Sequence, residues 1–208
     1  DQLAVMTLNR QQNVFNMYYV NPKSGVSRLI LRDENKCYVD SEWLTSIHFN
    51  PSGFTYVSEQ DGYSHIYLYS PTGVMQRQVT KGNWDVTRLI GYDDATKVVY
   101  YESAEESPLR RSVYKIDQKG VKTKLSEGEG TNSADFSANY AYFVNNYSNA
   151  NTPAVITVKE TKSKKVLRVL QDNAALREKL ANTSFSKKEF FKVHTAPDIS
   201  SIHRNRPV

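Results

Sequence analysis

One layout of four short segments recurs along the chain. Its copies begin at Ile47, Leu89 and Ala134, so the starts lie 42 and 45 residues apart. Each copy contains a short strand pattern, a turn, an aromatic strand pattern, a loop, a third strand, a turn and a fourth strand. A period of this length built from strands is typical of β-propeller blades. One blade cannot bury both faces of its sheet, so such repeats stack face to face.

The strand patterns alternate with a period of two. In HIYLYSP, Ile66 and Leu68 fall on one face, and the residues between them fall on the other. The turns SPTG and DQKG place Gly73 and Gly120 at matching points of two copies, where a positive φ lets antiparallel strands reverse direction. Tyrosine, at 14 residues, supplies most of the aromatic content and favours sheet. The pattern predicts an all-β fold of four-stranded antiparallel blades.

A further blade precedes Ile47. The segments LAVMTLN, NVFNMYYVNPKSG and VSRLILRDE predict three strands, and we expect the first strand of this blade to lie before the chain begins. Residues 1–172 therefore predict about four blades, near the low end of the roughly four to eight found in propellers. They could close a small ring or form an arc of a larger, eight-bladed propeller. We favour the arc.

After Asp172 the periodicity changes. The segment DNAALREKLAN predicts a helix with Asp172 or Asn173 as its N-cap. A strand is predicted over KKEFFKVHT, residues 187–195. We interpret residues 173–208 as a linker of helix and strand that leads towards a further domain.

Four segments carry a resemblance to a known family: EQDGYSHIYLY, QVTKGNWDV, VVYYESAEESPLRRSVYKID, and YSNANTP leading to VLRVLQDNAAL. Over about residues 3–193 the chain resembles the propeller of dipeptidyl-peptidase IV, in the prolyl oligopeptidase family. The resemblance implies an eight-bladed propeller that caps a serine-type α/β-hydrolase. The complete enzyme removes dipeptides from peptide N-termini, with proline or alanine at the second position.

The catalytic part of such an enzyme is not found in this sequence. The family's nucleophile lies in a G-x-S-x-G turn, which the chain lacks, and no Ser/Asp/His set can be assigned. We therefore expect no catalytic residue, metal or cofactor here. The resemblance implies a portion that gates and positions peptide substrates beside a downstream hydrolase domain, in an exported parent, periplasmic or on the cell surface. The alternative is a free-standing propeller that acts as an interaction scaffold, and a G-x-S-x-G turn encoded beyond Val208 would distinguish the two.

The resemblance supplies two candidate substrate-binding residues, Trp43 and Ser46, in the connection SEWLTS. Trp84, in GNWDV, is predicted to pack between neighbouring blades. Glu105 and Glu106 are adjacent, but their setting SAEESPL does not match the family's paired glutamates, so we interpret them as solvated loop carboxylates. The histidines, which are predicted to be structural or solvated rather than metal ligands, are His48, His65, His194 and His203.

Other classes of function are disfavoured. The net charge is +5, but the basic residues are scattered and form no stripe interleaved with aromatics, which disfavours nucleic-acid binding. No apolar run approaches the length of a membrane helix. Cys37 is the single cysteine, so no internal disulfide can form.

An arc of blades leaves two sheet faces uncovered, and we expect a homodimer through those faces.

Overall fold

The computed structural model describes residues 2–191 and places them in four antiparallel sheets. Sheet 1 contains β1 (Leu3–Leu8), β2 (Val14–Val20) and β3 (Ser27–Glu34). Sheet 2 contains β4 (His48–Asn50), β5 (Gly53–Ser58), β6 (His65–Tyr69) and β7 (Met75–Gln78). Sheet 3 contains β8 (Val86–Asp93), β9 (Val98–Ser103), β10 (Ser112–Ile116) and β11 (Lys122–Lys124). Sheet 4 contains β12 (Thr131–Phe136), β13 (Tyr142–Asn149), β14 (Thr152–Glu160) and β15 (Val166–Gln171).

In each sheet the strands pair in chain order, which confirms the predicted blades. Sheet 1 has the three strands expected of it. The second and third copies begin earlier than predicted, because β8 starts at Val86 and β12 at Thr131. The chain is therefore an all-β stack of propeller blades.

Apolar clusters lie between consecutive sheets. Phe15 and Met17 of sheet 1 pack with Tyr56 of sheet 2. Sheets 2 and 3 share a cluster that includes Val57 and Tyr101, and one further cluster repeats the arrangement between sheets 3 and 4. Burying these faces against each other supplies the core that a single sheet lacks.

Strand β9 shows why the inner strands are apolar on both faces. Val99 and Tyr101 belong to the cluster shared with sheet 2, whereas Tyr100 belongs to the cluster shared with sheet 4. Successive side chains point to opposite faces, so both faces of sheet 3 are covered. The run VVYYES accordingly shows no apolar–polar alternation.

Helix α1 (Ala174–Ala181) lies where the sequence predicts it. The Asp172 carboxylate accepts the Ala174 N–H at 3.0 Å, while Asn173 adopts a left-handed conformation and donates to the Ala154 carbonyl of β14 at 2.6 Å. The predicted strand over 187–195 is not formed by residues 187–191, because their backbone has no ladder partner among the described strands. The rest of that stretch lies outside the described residues.

Candidate functional site

In sheets 2 and 3, two kinds of connection meet at one end of the sheet, which we call the loop end. They are the loop between the second and third strands and the segment that leads to the next sheet. In sheets 2 and 3 the loop end comprises residues 59–64, 79–85, 104–111 and 125–130. Antiparallel pairing brings both kinds to the same end, since alternate strands start and finish there.

Backbone hydrogen bonds join these loops from one sheet to the next. The Val86 N–H donates to the Ser64 carbonyl at 2.8 Å, and the Ala104 N–H donates to the Asp85 carbonyl at 2.9 Å. Between sheets 3 and 4, the Asn132 N–H donates to the Arg111 carbonyl at 2.8 Å. The loop end is therefore a continuous, hydrogen-bonded surface across sheets 2 to 4.

His65 is fully buried at the loop end of sheet 2. Its Nε2 lies 2.9 Å from the Gly82 carbonyl, which can only accept, so Nε2 carries a proton. Its Nδ1 lies 3.1 Å from the Thr80 hydroxyl, and that hydroxyl also accepts the Ile66 N–H at 3.0 Å. The hydroxyl proton can then satisfy Nδ1. Both ring nitrogens are used internally, which confirms the structural role predicted for His65.

Trp84 packs between sheets 2 and 3, as predicted. Its ring meets His65 edge-on at 5.0 Å and stacks on Tyr101 at 6.5 Å between centroids. Gly82 has a φ of +136°, and a Cβ there would lie 2.3 Å from the Trp84 Nε1. The Trp84 indole therefore packs directly against Gly82, at a position where a side chain would collide with it.

Trp43 and Ser46 lie in one 3₁₀ helix, Ser41–Ser46, whose first turn is capped by the Asp40 carboxylate. Trp43 is half-buried and packs against the clusters on both sides of sheet 2. Its Nε1 is buried, with no hydrogen-bond partner within residues 2–191. Ser46 donates to the Trp43 carbonyl at 2.8 Å. The structure brings the two candidates together at the loop end, and their contact with substrate stays a prediction.

Glu105 and Glu106 are held more firmly than solvated loop carboxylates would be. Glu105 pairs with Lys122, and Glu106 binds Lys124 at 2.6 Å and accepts from the Ser112 hydroxyl at 3.2 Å. The hydrogen bond from Lys124 lowers the pKa of Glu106 below its usual range. These carboxylates anchor the 104–111 loop to β11. Lys122 and Lys124, at alternate positions of VKTKL, are the sequence feature from which these ion pairs could have been predicted.

A polar joint between sheets 3 and 4 was not predicted. Glu102, only 7% exposed, accepts the Ala134 N–H at 3.0 Å and pairs with Arg88 at 3.3 Å. Arg88 also reaches Asp135 of sheet 4 at 2.8 Å. Burial raises the pKa of Glu102 above its ordinary value, against the opposing effect of its hydrogen bonds.

The comparison with protein families decides what this stack of sheets belongs to. The sequence model of one protein family, the dipeptidyl peptidase IV (DPP IV) N-terminal region, matches residues 1–154. The chain belongs to this family. The dipeptidyl peptidase IV N-terminal region thus accounts for most of the residues in sheets 1 to 4.

Individual relatives agree with this. Dipeptidyl peptidase 4 of Trichophyton rubrum is 30% identical over 200 residues, which cover 93% of this chain and 26% of that protein. The crystal structure of Porphyromonas gingivalis dipeptidyl peptidase 4 is 59% identical, with a TM-score of 0.89, over 92% of this chain and 27% of that one. A putative dipeptidyl aminopeptidase IV from Bacteroides ovatus is 25% identical with a TM-score of 0.69. The chain spans about a quarter of these relatives.

Within residues 2–191 of this dipeptidyl peptidase IV region, the His65 ring hydrogen-bonds Thr80 and Gly82 rather than a serine, and no cluster of three His, Cys, Asp or Glu side chains is suited to a metal. Cys37 is free and exposed. No helix in the described part is both long and apolar enough for a membrane span. His194 and His203 lie outside the described residues.

Proposed function

We propose that this chain is the non-catalytic propeller portion of a dipeptidyl peptidase IV-like serine exopeptidase. In this role it gates access to a hydrolase site and helps to position peptides for release of N-terminal Xaa-Pro or Xaa-Ala dipeptides. The observation that carries the proposal is the family match over residues 1–154. No observation favours the alternative of a free-standing interaction scaffold.

The architecture suits gating and positioning. Blades joined by buried aromatic clusters form a stiff wall, and the hydrogen-bonded loop end offers a rigid surface on which a second domain could rest. Such a wall contributes by excluding water and bulky molecules and by holding a substrate in place. The bond chemistry would come from an α/β-hydrolase domain, with residues 173–208 as the linker towards it.

Two further parts of the proposal concern assembly and location. The parent is exported to the periplasm or the cell surface, as expected for bacterial members of the family. The isolated arc forms a homodimer through its uncovered sheet faces. Cell fractionation tests the first and sedimentation velocity the second. Retention of the parent in the cytoplasm would contradict export, and a monomer at high protein concentration would contradict the homodimer.

A chimaera tests the central claim. The corresponding part of the Porphyromonas gingivalis enzyme is replaced by this chain, and hydrolysis of Gly-Pro-p-nitroanilide is measured beside the chain alone. We expect the chain alone to be inactive and the chimaera to keep activity within about tenfold of its parent, a barrier change of about 1.4 kcal/mol. Activity in the chain alone would overturn the non-catalytic role, and a folded but inactive chimaera would contradict the positioning role.

The two tryptophans provide a matched test of substrate contact in that chimaera. Trp43→Phe changes the candidate binding residue, whereas Trp84→Phe changes a comparable ring that packs between sheets 2 and 3. We expect Trp43→Phe to raise KM and Trp84→Phe to leave it unchanged, while both lower thermal stability. Equal kinetic effects would remove Trp43 and Ser46 as substrate-binding candidates.

A further inference from the structure

A groove of about 580 Å³ lies between the outer strands of sheets 2 and 3, away from the candidates Trp43 and Ser46. We call it the rim groove. Its lining residues are Arg77 to Lys81 and Trp84 on one side, and Tyr101, Ile116, Gln118 to Gly120 and Lys122 on the other. Its volume falls in the range of ligand sites in proteins.

The lining is strongly basic. It includes Arg77, Lys81, Lys119 and Lys122, and it includes no carboxylate. Lys122 is paired with Glu105, which lies outside the lining, and Arg77 donates to the Gln118 carbonyl at 2.6 Å across the groove. Lys81 and Lys119 make no ion pair with any described residue. The groove therefore keeps two unpaired cations, one on each wall, and fits an anionic partner.

The wall also holds an unused hydrogen-bonding group. Tyr101 lines the groove yet is 0% exposed, and its hydroxyl has no partner within the described part of the chain. A buried hydroxyl without a partner costs free energy that a ligand's acceptor could recover. Trp84 stacks on Tyr101 beside it, so the polar group is flanked by an aromatic surface.

The strands that border the groove have free edges. Within residues 2–191, β7 pairs only with β6 and β11 only with β10, so each leaves one row of N–H and C=O groups without a strand partner. An extended peptide can hydrogen-bond to such an edge. In an extended chain alternate side chains share a face, which would direct every second residue at the lysines.

We propose that the rim groove binds an acidic segment of polypeptide in extended conformation. Its carboxylates contact Lys81 and Lys119, its backbone lies along β7 or β11, and one of its oxygen atoms accepts a hydrogen bond from the Tyr101 hydroxyl. This interaction is separate from the gating of a peptidase and does not depend on it.

The probe is a fluorescein-labelled octapeptide of alternating glutamate and valine, titrated with the full natural polypeptide and followed by anisotropy. We expect saturable binding that weakens as salt is raised, and at least about tenfold weaker binding of the same peptide with glutamine in place of glutamate. Lys81→Glu with Lys119→Glu should weaken binding by about tenfold or more. Absence of saturable binding, or equal binding of the glutamine peptide, would overturn the proposal.

Two variants separate the groove from general charge. Lys162→Glu with Lys165→Glu makes the same change of net charge on an exposed turn of sheet 4 and should leave binding unchanged. Tyr101→Phe removes only the hydroxyl and should weaken binding severalfold without loss of folding. Equal losses from the two lysine pairs would overturn the assignment to the groove. Mutation-sensitive binding of chondroitin sulfate without binding of the peptide would replace the polypeptide by an anionic polysaccharide.

Discussion

Strands β9 and β15 are both six residues long and rich in apolar side chains, yet their surroundings are opposite. In β9, VVYYES, every residue after Val98 is buried; in β15, VLRVLQ, all six are exposed. β9 lies inside sheet 3, which has sheet 2 on one face and sheet 4 on the other. β15 is the outer strand of sheet 4, which has a described neighbour on one face only.

The difference shows that burial in this fold is decided by the strand's place, inner or outer within its sheet and with or without a sheet on each face, and not by its own composition. β7, the outer strand of sheet 2, is likewise exposed or only half-buried, although sheets 1 and 3 pack on the two faces of sheet 2. A side chain at a joint between sheets contributes by removing apolar surface from water, whereas the same residue type on an uncovered face contributes little. The predictions below compare positions that face a neighbouring sheet with matched positions that do not.

The largest contrast is expected within β13. Phe143, 1% exposed, faces sheet 3, and Tyr142, next to it on the strand, is 47% exposed. Phe143→Ala should cost about 3–5 kcal/mol of unfolding free energy, because a large buried ring is lost and leaves a cavity. Tyr142→Ala should cost about 0.5 kcal/mol or less. Urea denaturation measures both. Similar losses would mean that the uncovered face of sheet 4 is covered in solution, and sedimentation would then show self-association.

Two equivalent turn glycines give the next contrast. Gly73 and Gly120 both have positive φ, +86° and +82°, but a Cβ at Gly73 would lie 2.1 Å from the Ile30 carbonyl oxygen, and a Cβ at Gly120 would meet nothing within 4 Å. Either alanine pays for the left-handed conformation, about 1–2 kcal/mol. Gly73→Ala should cost about 1–3 kcal/mol more, because sheet 1 must move away from sheet 2. Equal melting temperatures for Gly73→Ala and Gly120→Ala would show that sheet 1 can move away from sheet 2 at no cost in stability.

The pH dependence of stability distinguishes the buried Glu102 from the more exposed Glu106. The pKa of Glu102 is raised in the folded state, so its contribution is present below the unfolded pKa of about 4.3 and is lost as pH rises through the folded value. Glu102→Gln should therefore become more stable relative to the parent between pH 4 and pH 7. The pKa of Glu106 is lowered, so its contribution is present above the unfolded pKa of about 4.3 and is lost as pH falls through the folded value. Glu106→Gln should therefore be less stable than the parent above about pH 5 and approach it as pH falls below about 4. Chemical denaturation from about pH 3 to pH 7 checks both, and parallel pH dependences of the two variants would contradict the assignment.

The repeat in the sequence predicts the blades because strand alternation and turn glycines are local signals. The segments SPTG and DQKG mark Gly73 and Gly120 as matching turns, and the position of Trp84 in the connection GNWDV predicts its place between blades. The joint of Arg88, Glu102 and Asp135 could not be predicted, since its members lie 14 and 47 residues apart and no local pattern links them. The strand predicted over residues 187–195 is not formed by residues 187–191, which are the part of it that the structure describes. The reason is again that a local pattern carries no information about distant partners. The strand's apolar pattern is local, but a strand forms only where a partner edge is available.

The smallest effect is expected at the exposed end of that polar joint. The Asp135 side chain is 79% exposed, so its 2.8 Å pair with Arg88 is largely solvated, whereas Glu102 on the other side of Arg88 is buried. Asp135→Asn should cost about 0.2–1 kcal/mol at low salt, and the cost should disappear near 1 M salt, where the screening length is about 3 Å. Denaturation at two ionic strengths measures this. A larger loss of unfolding free energy that salt does not change would show that sheet 4 shields the Arg88–Asp135 pair from water. Even the exposed end of this polar joint would then depend on the neighbouring sheet.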